Sequence, residues 1–304
     1  ARFWVSRSVF NKETQRYELL DVVGPDEYHL YVDNNFYTNA LARWNIRQAL
    51  ATLDAMEESG SGDATLNGSL ALTEHERDHW RDVADRMTMN TSTTTGVAEQ
   101  FDGYFDLRDM PISKYDQNNM PVWPDGLDIR PLDRTQIIKQ ADVVMAMYLL
   151  DEQFDEATKR LNYEYYIQRT MHKSTLSASV YSVVALRLGD SAEAYDCFIR
   201  TAEADLVDSQ GSTWEGPHIA SAGGTWQAAV FGFAGMRVDA DGVLSFSPRL
   251  PEKWKSMSLA VFWHGAALRV RISAGGVAVT RLEKSGESAD ATIPVRICGV
   301  VSEI

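Results

Sequence analysis

Apolar positions along "NNFYTNALARWNIRQALATLDAME" (residues 34–57) recur at helical spacing. Tyr37, Leu41 and Trp44, then Ile46, Leu50 and Leu53, fall three or four residues apart and predict one apolar helix face, with Asp33 or Asn34 as its N-cap. "SGSGDATLNG" at 59–68 reads as a flexible loop. Thr73 followed by Glu76 resembles a capping box and opens a helix carrying Trp80, Val83 and Met87. Residues 91–134, rich in Thr, Asp, Asn and Pro, show no period, and a loop of that length in a compact domain is often functional. Helical periodicity returns at 135–150 and 152–161, at 174–189 with Gly189 as the stop, at 190–202 with Asp190 three residues before Glu193, and at 224–236. From about residue 237 the period drops to two. "LAVFWHGAALRVRI" alternates around a His-Gly turn, and "SAGGVAVTRLEK" carries a Gly-Gly hairpin signal. The pattern predicts a mainly α chain of paired helices over 1–236, followed by a small antiparallel β-sandwich over 237–304.

Composition narrows the partners. The 304 residues carry a formal net charge of −14, so no basic stripe is available to neutralise nucleic acid or anionic lipid. No run of about 18 apolar residues suggests a membrane span. Cys197 and Cys298 are too few and too far apart in sequence for a disulfide framework, which leads us to expect a reducing, cytoplasmic setting. Eight Trp and twelve Tyr suit a neutral sugar ligand, since flat apolar rings match pyranose faces, although core packing is the commoner use of such rings. The opening "ARFWVSRSVF" lacks Met, and we expect the chain to be a fragment.

Five motifs stand in one order: "GPDEYH" (24–29), "VDNNFYTN" (32–39), "KQADVV" (139–144), "RTMHKSTLS" (169–177) and "GGTWQAAVFGFAGMR" (223–237). Together they resemble the maltose, kojibiose and trehalose phosphorylases of glycoside hydrolase family 65, over nearly the whole chain. The resemblance implies a catalytic (α/α)6-barrel portion over 1–236, lacking the first part of the barrel, followed by the β-sandwich. It implies inverting phosphorolysis of an α-linked glucosyl disaccharide to β-glucose 1-phosphate and a sugar, with inorganic phosphate as co-substrate and no cofactor or metal. The chain departs from the family pattern at Leu30-Tyr31 and at Pro217, departures that bear on substrate preference rather than reaction class.

Inverting cleavage needs an acid for the leaving oxygen and a nucleophile on the opposite face. By resemblance Glu27 is the general acid, held by the Gly24-Pro25 turn, with Asp26 and His29 tuning and orienting it. Taken alone, Glu27 would read as a solvated turn carboxylate and Asp26 as a cap. Lys139 and Gln140 match the pair that grips the cleaved glucose. Phosphate is assigned to His218, Ser174, Thr175, Gly223 and Gly224, in two segments that open helices, where free N–H groups favour an anion. Without the family pattern each hydroxyl would read as a helix cap. A hydrolase of the same fold is the alternative, with Glu215 or Glu164 as the base for water; an inactive carbohydrate-binding fragment is another. Trp4 and Trp226 read equally well as sugar platforms or as core, and His75, His79 and His264 have no metal-ligand company. A fragment of a helical toroid is expected to be inactive alone, and to form a homo-oligomer or associate with a missing N-terminal portion.

Overall fold

The computed structural model describes residues 1–59, 72–127, 132–208, 210–282 and 292–304. The loop expected at 59–68 therefore lies, beyond Ser59, outside the described residues. The chain divides into two compact units, Ala1–Tyr115 with Pro121–His172, and Asp116–Met120 with Lys173–Ile304.

The first unit opens with helix α1 (Arg2–Arg7) and a hairpin of β1 (Val9–Asn11) and β2 (Arg16–Glu18). Helices α2 (Phe36–Glu58) and α3 (Glu74–Arg86) pack on one another and on β2 around Tyr17, Leu19, Ile46, Leu50, Trp80, Val83 and Met87. Thr73 caps α3 by accepting the Glu76 N–H, as its spacing predicts. The cap of α2 is Asn35, one residue beyond the expected Asp33 or Asn34. Asn34 is engaged elsewhere: its side chain accepts the Leu19 N–H at 3.2 Å and donates to Asp102 at 2.7 Å. The buried face of α2 runs through Asn39, Ala42, Ile46 and Leu50, which leaves Trp44 39% exposed on the other side.

The helix expected over 135–150 forms only at α4 (Val143–Leu149). Ahead of it the chain is an extended strap: Ile138 bridges Thr170, and the Gln136 N–H donates to the Arg108 carbonyl at 3.0 Å. A short apolar run such as "QII" fits either a buried strand or a buried helix, and long-range pairing decides between them. Helix α5 (Glu156–Ile167) starts later than expected, capped by Asp155, whose carboxylate accepts the Thr158 N–H at 2.7 Å.

In the second unit α6 (Ala178–Arg187) is buried along nearly its whole length and stops before Gly189, whose φ of 90° suits glycine. Helix α7 (Ser191–Ala202) is capped by Asp190 as predicted. Helix α8 (Ile219–Gln227) begins ahead of the expected start at 224 and runs into a π-helical turn, Ala228–Phe233. The β region holds two sheets. Strands β5 (Ser256–Trp263), β6 (Ala266–Ser273) and β7 (Gly276–Leu282) form an antiparallel meander. His264 and Gly265, with φ of 45° and 83°, form the first turn, the backbone that matches right-handed strand twist. The other sheet orders β3 (Met236–Val238), β4 (Leu244–Phe246), β8 (Pro294–Ile297) and β9 (Val300–Glu303). Its β4 and β8 run parallel, which corrects the all-antiparallel expectation. Alternation marks which face is buried, and strand direction is set by pairing across a long sequence gap. Leu244 and Phe246 of one sheet meet Leu268, Val270 and Ile272 of the other in a shared core.

Gly235 joins the π-helical turn to β3 at φ 59°, and an added Cβ would lie 2.2 Å from the Ser247 carbonyl oxygen. Gly235→Ala should therefore destabilise the protein by roughly 1–3 kcal/mol or more, read from chemical denaturation midpoints. An unchanged midpoint would contradict this packing.

Candidate functional site

A loop in the first unit is closed at its neck by Val22 and Val32, each donating its N–H to the other's carbonyl at 2.9 Å. The loop carries Gly24 to His29 over a buried polar cluster. Asp26 is buried, and its carboxylate accepts the Lys139 N–H (2.8 Å), the Gln100 Nε2 (3.0 Å) and the Tyr28 N–H (3.1 Å). His29, also buried, sets Nδ1 2.5 Å from Asp26 Oδ2 and Nε2 2.8 Å from the Thr135 carbonyl. A carbonyl accepts only, so Nε2 carries a proton, and an ionised Asp26 is served best when Nδ1 donates as well. Burial by itself pulls His29 down, but the bond and charge of Asp26 and the Thr135 carbonyl outweigh it and leave His29 above its ordinary value.

Asp142 completes the cluster. It accepts the Asp26 N–H at 3.2 Å, and Asn35 Nδ2 stands 3.1 Å from both its oxygens. Burial, and then the charge of Asp26, push its carboxyl up to about 7. Gly24 passes so close that a Cβ there would lie 2.5 Å from both Asn35 Nδ2 and Asp142 Oδ2.

Glu27 stands on top of this cluster with its side chain 54% exposed, and forms an ion pair with Lys139 Nζ. Gln140 donates from Nε2 to the Pro25 carbonyl at 2.6 Å. The structure thus brings Glu27, Lys139 and Gln140 together, on a loop and strap joined by the Asp26 carboxylate. Tyr28, its phenol pushed up to about 12 by burial, tilts toward Trp123 with ring centroids 6.1 Å apart.

The second unit holds the other predicted residues. His218 is the N-cap of α8. Its N–H donates to Asp205 Oδ2 at 2.7 Å, and its Nδ1 lies 2.5 Å from Asp205 Oδ1. The hydrogen bonds from His218 hold Asp205 below the usual carboxylate range. Ser174 and Thr175 lie in the turn ahead of α6, where Ser174 Oγ accepts the Leu176 N–H at 3.3 Å. Gly223 and Gly224 lie inside α8 rather than ahead of it. Gly223 borders open space, whereas a Cβ on Gly224 would lie 2.7 Å from Ser179 Oγ of α6, so Gly224 permits close helix packing. An open cleft of about 290 Å³ in this unit, bordered by Asn119, Tyr195, Arg200 and Lys253, includes none of the predicted residues. Glu164 is exposed on α5 in the first unit, and Glu215 is exposed in a short turn of the second. Trp4 packs against the α2–α3 core, and Trp226 is 51% exposed. Among the described residues no group of three or more His, Cys, Asp or Glu side chains is placed to hold a metal ion.

Sequence reasoning passed over Asp142, Asn35, Gln100 and Asp205. Asp142 lies within "KQADVV" and Asn35 within "VDNNFYTN", where the Asn pair suggests a helix cap, but neither motif signals a buried contact between the two. Asp205 and Gln100 carry no spacing signal.

The chain matches the glycosyl hydrolase family 65 central catalytic domain over residues 1–227 and that family's C-terminal domain over 236–298. It is similar to the kojibiose phosphorylase of Thermoanaerobacter brockii, 49% identical over 94% of this chain and 37% of that protein. It is also similar to the α,α-trehalose phosphorylase of Geobacillus stearothermophilus, 34% identical over 93% of this chain and 36% of that protein. A solved structure from the human microbiome, provisionally named a kojibiose phosphorylase, superposes with a TM-score of 0.81 at 29% identity, over 99% of this chain and 39% of that one. The chain spans a little over a third of the length of these curated relatives.

The buried cluster fixes a pH dependence. Asp142 rises from 3.8 to about 7 on folding, so between those values the folded chain holds a proton that the unfolded chain has released, and stability falls as pH rises. His29, raised above 6.5, acts in the same direction as the pH passes upward through its folded value. Denaturation midpoints should therefore drop from about pH 5 to about pH 8, and Asp142→Asn should reduce that drop. An undiminished drop in the variant would contradict the assignment.

Proposed function

The chain belongs to glycoside hydrolase family 65, and we propose that, in the protein at its full natural length, it serves inverting phosphorolysis of an α-linked glucosyl disaccharide of the kojibiose, nigerose, maltose and trehalose class. In this reading the helices are part of an (α/α)6 barrel, the products are β-glucose 1-phosphate and a free sugar, and inorganic phosphate is the co-substrate with no further cofactor. The observation that carries the reading is the pairing of Glu27 with Lys139 above the buried Asp26 cluster.

A phosphate oxygen attacks C1 from the face opposite the glycosidic oxygen. The C1–O bond breaks, and the departing oxygen takes the proton of Glu27. Phosphate arrives already ionised, so no second carboxylate is needed as base. Lys139 has two tasks in sequence. It pairs with Glu27 first, and it is then drawn to a glucose hydroxyl together with Gln140. His218, steadied by Asp205 at the N-terminus of α8, is the proposed phosphate ligand with Ser174 and Thr175, whereas Gly223 and Gly224, inside the helix, have no free N–H to offer an anion. The names of the similar proteins, which span kojibiose and α,α-trehalose as substrates, support the substrate class and leave the linkage open within it.

Glu27→Gln should lower kcat by roughly 100- to 10,000-fold while the circular dichroism spectrum stays unchanged. Near-normal turnover would remove Glu27 from the acid role. His218→Ala should raise the KM for phosphate by roughly tenfold or more, with the KM for disaccharide little changed, since one charge-assisted contact to the anion is lost. A matching rise for the disaccharide, or release of glucose alone in phosphate-free buffer, would contradict the phosphate assignment.

A further inference from the structure

Asp142 occupies the N-cap position of α4, yet its side chain makes no cap hydrogen bond to that helix. An N-cap aspartate ordinarily turns its carboxylate to the first free N–H groups of its own helix. Here both oxygens are committed instead to the acid loop and to the start of α2. We propose that Asp142 is a positioning residue for Glu27, an inference that rests on the reading of Glu27 as the proton donor.

Three constraints meet at this carboxylate. Its Oδ2 accepts the N–H of Asp26, the residue immediately before Glu27. Asn35 fixes the orientation of the carboxylate, because Nδ2 donates to it while Oδ1 accepts the Thr38 N–H at 2.9 Å and so caps α2. Gly24, at the loop's entry, passes so close to the same two groups that any side chain there would displace them. Asp142 is only 1% exposed, so water has no access to replace these bonds. The loop backbone on the N-terminal side of Glu27 is therefore fixed by α2 and by the residue that opens α4. The Asp26 carboxylate fixes Lys139 through its N–H. A displacement of about 1 Å in such an arrangement can cost roughly 100-fold in rate.

The test separates proton donation from every other use of the site. In the protein at full natural length, kcat with phosphate is measured on two substrates for the wild type, Glu27→Gln, Asp142→Asn and Asn35→Ser. One substrate is whichever of kojibiose, nigerose, maltose and trehalose turns over fastest. The other is α-glucosyl fluoride, whose leaving group needs little proton donation. Serine at position 35 keeps an oxygen to cap α2 but loses the amide donor to Asp142. Asp142→Asn and Asn35→Ser should each lower kcat on the disaccharide by roughly tenfold to 100-fold, and change the fluoride rate by less than about threefold, following the selectivity of Glu27→Gln. Should Asp142→Asn fail to fold, Asn35→Ser decides alone. If Glu27→Gln is selective while the other two variants lose both substrates equally, or neither, the positioning role is overturned. If Glu27→Gln itself loses both substrates equally, the acid assignment falls and the proposal falls with it.

Discussion

Two carboxylates and an imidazole buried together, Asp26, Asp142 and His29, set the constraint on which the first unit depends. Water is excluded, so each charge must be met by a proton or a donor. His29 supplies a donor to Asp26, Asn35 supplies one to Asp142, and the raised values of both His29 and Asp142 keep protons in the cluster near neutrality. Meeting those needs joins parts of the chain that are remote in sequence. Asp26 and Asp142 are 116 residues apart, and Asn35 and Asp142 are 107 apart. The electrostatic requirement thereby becomes a mechanical one, because the loop at 24–29, the strap before α4 and the first turn of α2 cannot move independently without leaving a buried charge unmet.

Several signals that act within a few positions of themselves are legible in the sequence, although the cap of α2 falls one residue beyond its expected place. Thr73 and Asp190 cap their helices, Gly189 ends α6, and the His264-Gly265 turn joins β5 to β6. Signals that depend on remote pairing were not legible. Ile137 and Ile138 fit a helical count but belong to a strap, because Ile138 finds Thr170. Strand β8 lies parallel to β4 because pairing across the gap from Phe246 to Pro294 places it there. The hairpin at β1 and β2 is tied by Asn11, whose Oδ1 accepts the Glu13 N–H at 2.8 Å, and its strands are too short to show alternation.

The candidate site divides in the same way. Glu27, Lys139 and Gln140 were named on motif resemblance, and the structure places them side by side. Of the groups that hold them, Asp142 and Asn35 lie inside the motifs and Gln100 lies far from any, and none shows its buried partner, since such a partner has no spacing rule. In the second unit His218 sits where expected at a helix start, while its orienting partner Asp205 comes from 13 positions earlier. Gly224 illustrates a limit of reading glycine from sequence alone, since a close approach between helices requires it as strictly as an anion cradle would.

The central claim is attack by phosphate on the face of C1 opposite the bond that breaks, with Glu27 supplying the proton. Proton NMR of the earliest products from an α-linked glucosyl disaccharide and inorganic phosphate tests it most directly, because the anomeric proton coupling reports the face of attack. The account predicts β-glucose 1-phosphate as the first glucosyl product of the full-length protein; α-glucose 1-phosphate, or free glucose without a phosphate ester, would contradict it.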